Sequence, residues 1–346
     1  MKTIRFFLAA LAIAGLMTAC SNDEAIEQAN SKQGNEISFR LQGGVPETKA
    51  TATLVEHIDA LAVWGGYRAE WENTGASPTL TFSKTTVFRD VEMGGVAFNY
   101  YPKKYYPIGV SGPFDMIFYA FSPVSALNGG VTPNFGTGAG DRYVTLAYNN
   151  PVPNITGNTT QVDLLAGYYI EGSHNPAASV NIKFYHALSR IFVAASNGTE
   201  TPVVITGMTI KDVGSEAECT IDEVGLNSAK IKWDTPTATT SYPYILPQSG
   251  VAVPPGADKL NVVSMEQGML IIPQIVGGAV GELSVNYTFA NLGAQTATFQ
   301  FPAGFNLAVN TQYRIIIDFD ATAISFTVSV EPFADPIIEV PAVPAP

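Results

Sequence analysis

Charge is scarce in this chain of 346 residues: Asp, Glu, Lys and Arg make up 14% of it, against a usual ~25%. What charge exists leans acidic, with 30 acidic and 18 basic residues and a formal net charge of −12. No run of lysine or arginine interrupts that balance, so the chain repels phosphate backbones and nucleic acid is not expected as a partner. Only two cysteines occur, Cys20 and Cys219, and three histidines, His57, His174 and His186. The histidines lack the i, i+4 spacing of a zinc helix and have no downstream cysteine partner, so no metal centre is expected and His186 reads as a structural strand residue. Other catalytic signatures are missing too. Gly136-Thr137-Gly138-Ala139-Gly140 sits among turn residues with no strand-to-helix context, and no G-x-S-x-G elbow occurs. Asp318 and Asp320 flank Phe319 at the end of an apolar run and read as a solvated strand end rather than a glycosidase pair. Cys219 lies close to Glu216 and Glu218, acidic neighbours that disfavour a thiolate. These absences point away from an enzyme and from any cofactor.

What the N-terminus does contain is an export pattern. Lys2 and Arg5 precede the apolar stretch Phe6 to Met17, which is too short for a membrane-spanning helix of ~20 residues. With Thr18 and Ala19 before Cys20, residues 1–19 read as a signal peptide. Leu16-Met17-Thr18-Ala19-Cys20 resembles the bacterial lipobox, in which the cysteine becomes the lipidated first residue of the mature chain; Met17 stands where Leu is commoner. Ser21-Asn22-Asp23-Glu24 resembles the acidic surface-export signal of Bacteroidetes lipoproteins. On that reading the protein reaches the membrane only through the lipid on Cys20, and the mature chain stands on the cell surface at the outer membrane. The alternative is an ordinary secreted protein with an incidental cysteine.

Beyond an acidic, polar linker at residues 20–36, apolar and polar residues alternate. Ile37, Phe39 and Leu41 fall on one face of a strand; Val180, Ile182 and Phe184 repeat the pattern, as do Leu283, Val285, Tyr287 and Phe289, and then Ile324, Phe326, Val328 and Val330. Turn-forming groups such as Asn128-Gly129-Gly130, Asn197-Gly198 and Pro254-Pro255-Gly256 separate these runs. Long helical patterns are nearly absent, so the expected class is all-β, built as antiparallel β-sandwiches. The Gly, Pro and Asn-containing stretch from Glu171 to Ala178 suggests a division into an N-terminal domain at 37–176 and a C-terminal domain at 177–346. The two parts begin alike: Ile37 to Leu41 and then Ile58 to Trp64 parallels Leu188 to Ala195 and then Val203 to Ile210.

Several segments, in order, carry a family resemblance. Tyr105-Tyr106-Pro107 is followed by the strand Phe114 to Pro123, which contains Tyr119-Ala120-Phe121-Ser122-Pro123. Asp163-Leu164-Leu165-Ala166 is followed by Phe184-Tyr185-His186-Ala187-Leu188-Ser189-Arg190-Ile191. Met269 to Gln274, Leu283 to Phe289, Tyr313 to Ile317 and Ile324 to Val330 complete the series, with Phe333 where many relatives have Trp. Together they resemble the fimbrillin-like group of major and minor fimbrial subunits of Bacteroidales, which builds type V pili. The resemblance implies two tandem transthyretin-like β-sandwiches and a non-enzymatic pilus subunit, most simply one of the stalk. It further implies that a trypsin-like protease cuts after a basic residue beyond the first strand, and that a strand from the next subunit fills the opened groove. Here the removable strand is Ile37, Phe39 and Leu41, and the cut falls between Lys49 and Ala50 in a Gly- and Pro-containing stretch open to proteases. Arg40 is the rival site, inside the strand.

The donor expected from the sequence is the C-terminal tail, with Ile337, Ile338, Val340 and Val343 as its apolar residues. Three such side chains would contribute ~5 to 9 kcal/mol on burial before ordering costs. The tail could instead fold back as an edge strand on its own domain. Partners implied are other pilin subunits, the processing protease and a host or bacterial surface ligand. An anchor or tip subunit is a variant of this reading. A different class is a monomeric surface lipoprotein that binds a glycan through the aromatic clusters Trp64, Tyr67 and Trp71, and Tyr100, Tyr101, Tyr105 and Tyr106. Core packing is the competing use of those rings.

Overall fold

Alternation of apolar and polar residues turns into strands that bury one face or both. The computed structural model describes residues 36–41, 60–69, 79–80, 85–90, 97–99, 105, 114–135, 142–154, 161–174, 179–224, 227–263, 268–278, 280–289, 293–321 and 323–332. Ten strands come first: β1 (Phe39–Leu41), β2 (Ala60–Ala69), β3 (Thr79–Leu80), β4 (Thr85–Asp90), β5 (Ala97–Asn99), β6 (Phe114–Ser122), β7 (Val131–Phe135), β8 (Arg142–Asn149), β9 (Leu165–His174) and β10 (Val180–His186). There follow β11 (Ser189–Asn197), β12 (Val203–Asp222), β13 (Ile231–Trp233), β14 (Ala238–Pro243), β15 (Val251–Val253), β16 (Leu260–Asn261), β17 (Met269–Ile271), β18 (Gln274–Val276), β19 (Glu282–Phe289), β20 (Gly293–Gln300), β21 (Phe305–Leu307), β22 (Thr311–Phe319) and β23 (Ile324–Pro332). Among the described residues, helix is confined to short 3-10 turns at Val124–Ala126 and Asn227–Lys230. The all-β class expected from the sequence is the observed one.

The first sheet runs β3-β2-β4-β5-β1-β10-β9-β6, and β2 also pairs with β6, so the circuit of hydrogen bonds closes on itself. Among the described residues, each of the seven strands of this circuit, β2, β4, β5, β1, β10, β9 and β6, is paired on both sides. One face of the ring holds Ile37, Phe39, Phe118, Val180, Ile182 and Phe184, none more than 5% exposed. The alternate residues Ile117, Tyr119, Phe121 and Tyr185 pack with Val144, Leu146, Cys219, Ile221 and Ile231 of a second sheet. A separate core lies between β11, β17 and β22 on one side and β12 and β19 on the other. Phe184 on the face with Phe39 and Phe118, and Tyr185 against the second sheet, show how one strand buries both of its faces through its period of two.

Two seams depart from the expected antiparallel pattern: β1 runs parallel to β10, and β11 runs parallel to β22. Parallel neighbours cannot be joined by a tight hairpin, and these pairs are separated by most of their sandwich in sequence. The sequence division at 176 and 177 falls between β9 and β10, which are hydrogen-bonded neighbours from Lys183↔Tyr168 to His186↔Leu165. The turn chemistry of Glu171 to Ala178 therefore lies in the connection between paired strands of one sheet. The buried clusters part after β10 instead, and β12 enters both.

β12 is 20 residues long, roughly 65 Å of extended chain. Its first part pairs with β14, β15 and β19, and its last part, Glu216–Asp222, pairs with β8 and β13. The change of partner is marked by Asp212 in the left-handed region, at φ 54, and by register shifts on either side of Val213 and Gly214. At Gly214 a Cβ would stand 2.3 Å from Cγ of Pro236. Only glycine lets the chain before β14 approach so closely.

Candidate functional site: the strand slot between β5 and β10

β1 is three residues long, yet it fills a gap in the closed ring. Its register is Phe39↔Val180, Arg40↔Asn181 and Leu41↔Ile182 on the β10 side, and Phe39↔Phe98 and Arg40↔Ala97 on the β5 side. Val180 N–H donates to the carbonyl of Ser38 at 2.8 Å, and the Ser38 hydroxyl donates to Oγ of Ser179 at 2.9 Å. Glu36 forms an isolated antiparallel bridge with Tyr105. Ile37 is 0% and Phe39 1% exposed. The Phe39 ring meets Phe118 edge to face, with centroids 5.3 Å apart, and Phe118 in turn contacts Tyr169. Across the same face, a Cβ on Gly167 would come within 2.8 Å of Ile182 and Phe184 side chains. The slot is therefore packed to its limit, with glycine where β9 crosses it. Burial of Ile37 and Phe39 stabilises the ring by ~3 to 6 kcal/mol.

The opening strand of the second sandwich, β11, also pairs in parallel. β11 makes eight parallel partner pairs with β22, from Arg190↔Gln312 to Asn197↔Phe319. Eight of its nine residues are buried. β1 makes three such pairs with β10. Both sandwiches thus open with a strand that pairs in parallel, β1 with β10 and β11 with β22. Arg40 lies within the β1 ladder, so hydrolysis there requires the strand to leave the sheet first.

A second feature lies where the two cores meet. Asp163 accepts from His186 through Nδ1 at 2.6 Å and from Arg190 through Nη2 at 3.0 Å. All three are buried. Nearby, Asn150 Nδ2 and Gln161 Nε2 both donate to the Leu270 carbonyl at 2.8 Å, Leu270 N–H donates to Gln161, and Trp233 Nε1 donates to Ala187 at 2.7 Å. The two sequence segments Asp163 to Ala166 and Phe184 to Ile191 are thus joined by an ion pair that sequence order alone did not reveal. The available signal was chemical: an Asp, a His and an Arg embedded in otherwise apolar runs must find partners on burial.

Cys219 is wholly buried in β12, and that burial pushes its thiol well above the usual range. The cause is desolvation rather than acidic neighbours, because Glu216 and Glu218 project to the exposed face. Trp64 is 2% exposed and packs edge-on against Phe121 at 6.1 Å, so it is a core residue and no part of a glycan platform. Among the described residues no group of three or more His, Cys, Asp and Glu side chains could hold a metal ion. Cys20, Lys49, Ala50, Ile337, Ile338, Val340 and Val343 lie outside the described residues, and Leu41 is described through its backbone.

Comparison with known proteins agrees with this architecture. A family model described as fimbrillin-like matches residues 48–332. The fold is similar to that of a fimbrial protein from Bacteroides vulgatus, with a TM-score of 0.62 at 14% identity, covering 87% of this chain and 100% of that one. It is also similar to a provisional cell adhesion protein from Bacteroides uniformis, with a TM-score of 0.51 at 12% identity, covering 87% of this chain and 98% of that one. A comparison with curated proteins gave no match. The match extends over most of the chain and takes in both buried cores: this protein belongs to the fimbrillin-like family.

Proposed function

We propose that the protein is a stalk subunit of a cell-surface fimbrium, exported as a lipoprotein on Cys20 and polymerised by exchange of its first strand. The observation that carries this reading is β1. With Ile37 just before it, β1 brings two buried side chains, Ile37 and Phe39, into the closed ring, and its described residues make three partner pairs with β10 and two with β5. Cutting between Lys49 and Ala50 frees it from the rest of the chain, and its departure opens the ring between β5 and β10. The exposed strand edges and apolar floor are then completed by an apolar strand from a neighbouring copy. Ile337, Ile338, Val340 and Val343 supply a segment of that chemistry. The function is mechanical and adhesive, with other fimbrial subunits as partners, and no reaction is assigned to the chain.

The experiment is assembly of the exported protein with Lys49→Gln against Arg40→Gln. The proposal expects Lys49→Gln to retain the first strand and give only monomer, whereas Arg40→Gln still forms heat-sensitive ladders. Ladders from Lys49→Gln with an unchanged N-terminus would overturn the site, and ladders from subunits that keep Ile37 to Leu41 would overturn strand exchange.

A further inference from the structure

An unguarded sheet edge invites strands from other molecules, and proteins shorten, charge or kink their edges or end them with proline. Among the described residues most edges of this protein are guarded in that way. β3, β13, β15, β16, β18 and β21 are two or three residues long. β7 carries Pro133, β14 ends at Pro243 and pairs through register shifts, and β23 ends in Glu331 and Pro332. β20 is different. It stands at one end of the sheet β20-β19-β12-β8-β7, runs for eight residues, and pairs with β19 from Glu282↔Gln300 to Phe289↔Gly293 without a register shift. Its sequence, Gly-Ala-Gln-Thr-Ala-Thr-Phe-Gln, holds neither proline nor charge.

The two faces of this strand differ, as its period of two requires. Thr296, Thr298 and Gln300 are exposed, and the Thr296 hydroxyl donates to Oδ1 of Asn286 at 2.9 Å. Ala297 and Phe299 turn to the core but are only half-buried. The Phe299 ring meets Phe301 and Phe326 with centroids 5.0 and 5.4 Å apart. Phe326 belongs to β23 of the facing sheet, so this is where the apolar layer between two sheets comes to the surface. A further strand along β20 would continue that layer over Phe299.

Charge selects the partner. A chain of net charge −12 repels copies of itself, and it does so least where its surface is neutral. Residues 283–313 contain no Asp, Glu, Lys, Arg or His, and Glu282, at the end of the ladder, is paired with Lys211 at 3.1 Å. A charged strand finds nothing to pair with here, whereas a second copy brings an equally neutral edge. The strand is also complementary to itself. About a two-fold axis at Thr298, residues 296–300 of two copies meet as Thr298 with Thr298, Ala297 with Phe299 and Thr296 with Gln300. Paired threonines hydrogen-bond across strands, and the small Ala297 leaves room for the opposing Phe299 ring.

We infer that two copies of this chain join edge to edge through β20, antiparallel and centred on Thr298, in a different sheet from the slot that β1 fills. So short a pairing is weak between free subunits. Repeated along a stalk, a step that rests on the strand-exchange reading above, it would hold two filaments side by side through avidity.

The test uses the purified chain from residue 20 with Cys20→Ser and residues 20–49 intact, so that β1 keeps its slot and association cannot come from strand exchange. Sedimentation equilibrium should show a reversible dimer with a Kd of ~100 μM or tighter. Thr298→Lys, at an exposed position, should leave the melting temperature unchanged and weaken the dimer about tenfold or more by setting like charges opposite each other. Thr298→Cys should give a disulfide-linked dimer on mild oxidation, because residues directly opposite bring their Cβ atoms within ~5.5 Å. Cys219 is buried and does not compete. Asn286→Cys on β19 should give none, since three strand spacings put it at least ~14 Å from its copy. A chain that stays monomeric at ~500 μM, a dimer indifferent to Thr298→Lys, or equal cross-linking from both cysteine variants would overturn the pairing. A benzophenone attached to Thr298→Cys on intact cells that captures solely a different protein would overturn the second copy as occupant. Dimers from a chain that never forms ladders would sink strand exchange and leave the edge pairing standing; ladders from a chain that never dimerises would do the reverse.

Discussion

Phe39 concentrates the argument at the scale of a residue, since it is 1% exposed in a strand of only three residues. Phe39→Ala in the untrimmed chain should cost ~3 to 5 kcal/mol, as large-to-small core changes do. Val330→Ala, at a position 61% exposed, should stay within ~0.5 kcal/mol; denaturant unfolding of the two variants checks both values, and equal effects would argue against a slot core at Phe39. Asp163 makes the second residue-level case. Replacing it by Ala leaves Arg190 buried without its carboxylate partner, so a loss of ~3 to 5 kcal/mol is expected. The double change Asp163→Leu with Arg190→Met should recover a large part of that loss, as apolar replacements of buried ion pairs do. Failure of the double variant to recover would mean that the pair positions the two cores rather than merely neutralising itself.

At the scale of the element, β1 pairs in parallel with β10 and β11 with β22, and the proposed cut at Lys49 removes β1 alone. Hydrogen exchange should therefore distinguish them. Removal of residues before Ala50 is expected to strip protection from amides of β10 near Val180 and Ile182 while leaving β11 protected, because β10 loses a ladder partner and β11 does not. Protection unchanged in β10 would mean that β1 is not what completes this edge. Most strands were legible in the sequence because their apolar residues repeat every second position, as Ile324, Phe326 and Val328 do. The pairing of those strands was not. Nothing in Phe39 to Leu41 says that its neighbour is Val180 to Ile182, 141 residues away at each pair and parallel in direction; long-range register depends on the whole packing. The Glu171 to Ala178 stretch leads from β9 into β10, its hydrogen-bonded neighbour, and Gly, Pro and Asn serve a connection within a sheet as readily as one between domains.

For the whole molecule, β12 ties the two cores into one cooperative body. Its upstream half belongs to the cluster with Ile205 and Ile210 and its downstream half to the cluster with Cys219 and Ile221. A single thermal transition is expected, and two well-separated transitions in calorimetry would contradict a shared strand. The pH dependence also belongs to this scale, since both cores bury tyrosines. Burial raises the phenols of Tyr119, Tyr148, Tyr242 and Tyr244, with Tyr242 pushed up to about 12 while its hydroxyl donates to the Asn150 carbonyl. A raised phenol favours the folded state fully below its unfolded value of ~10, and that contribution disappears as pH climbs toward the folded value. Melting temperature should therefore fall between about pH 10 and 12, and less steeply in Tyr242→Phe.

Legibility at this largest scale was uneven in an instructive way. The fimbrillin-like order of segments was readable because each is a short strand with a recognisable aromatic, Pro or His marker. The closed ring and the shared strand were not, because both arise from contacts between segments far apart in the chain. The central claim is that the ring is opened by proteolysis and closed again by a neighbour. It is tested most directly by the N-terminus and intact mass of the protein sheared from the native cell surface. The account predicts a start at Ala50 and a mass without residues 1–49, in material that runs as heat-sensitive ladders. A lipidated Cys20 on every copy, with Ile37 to Leu41 still attached and no ladder, would contradict it.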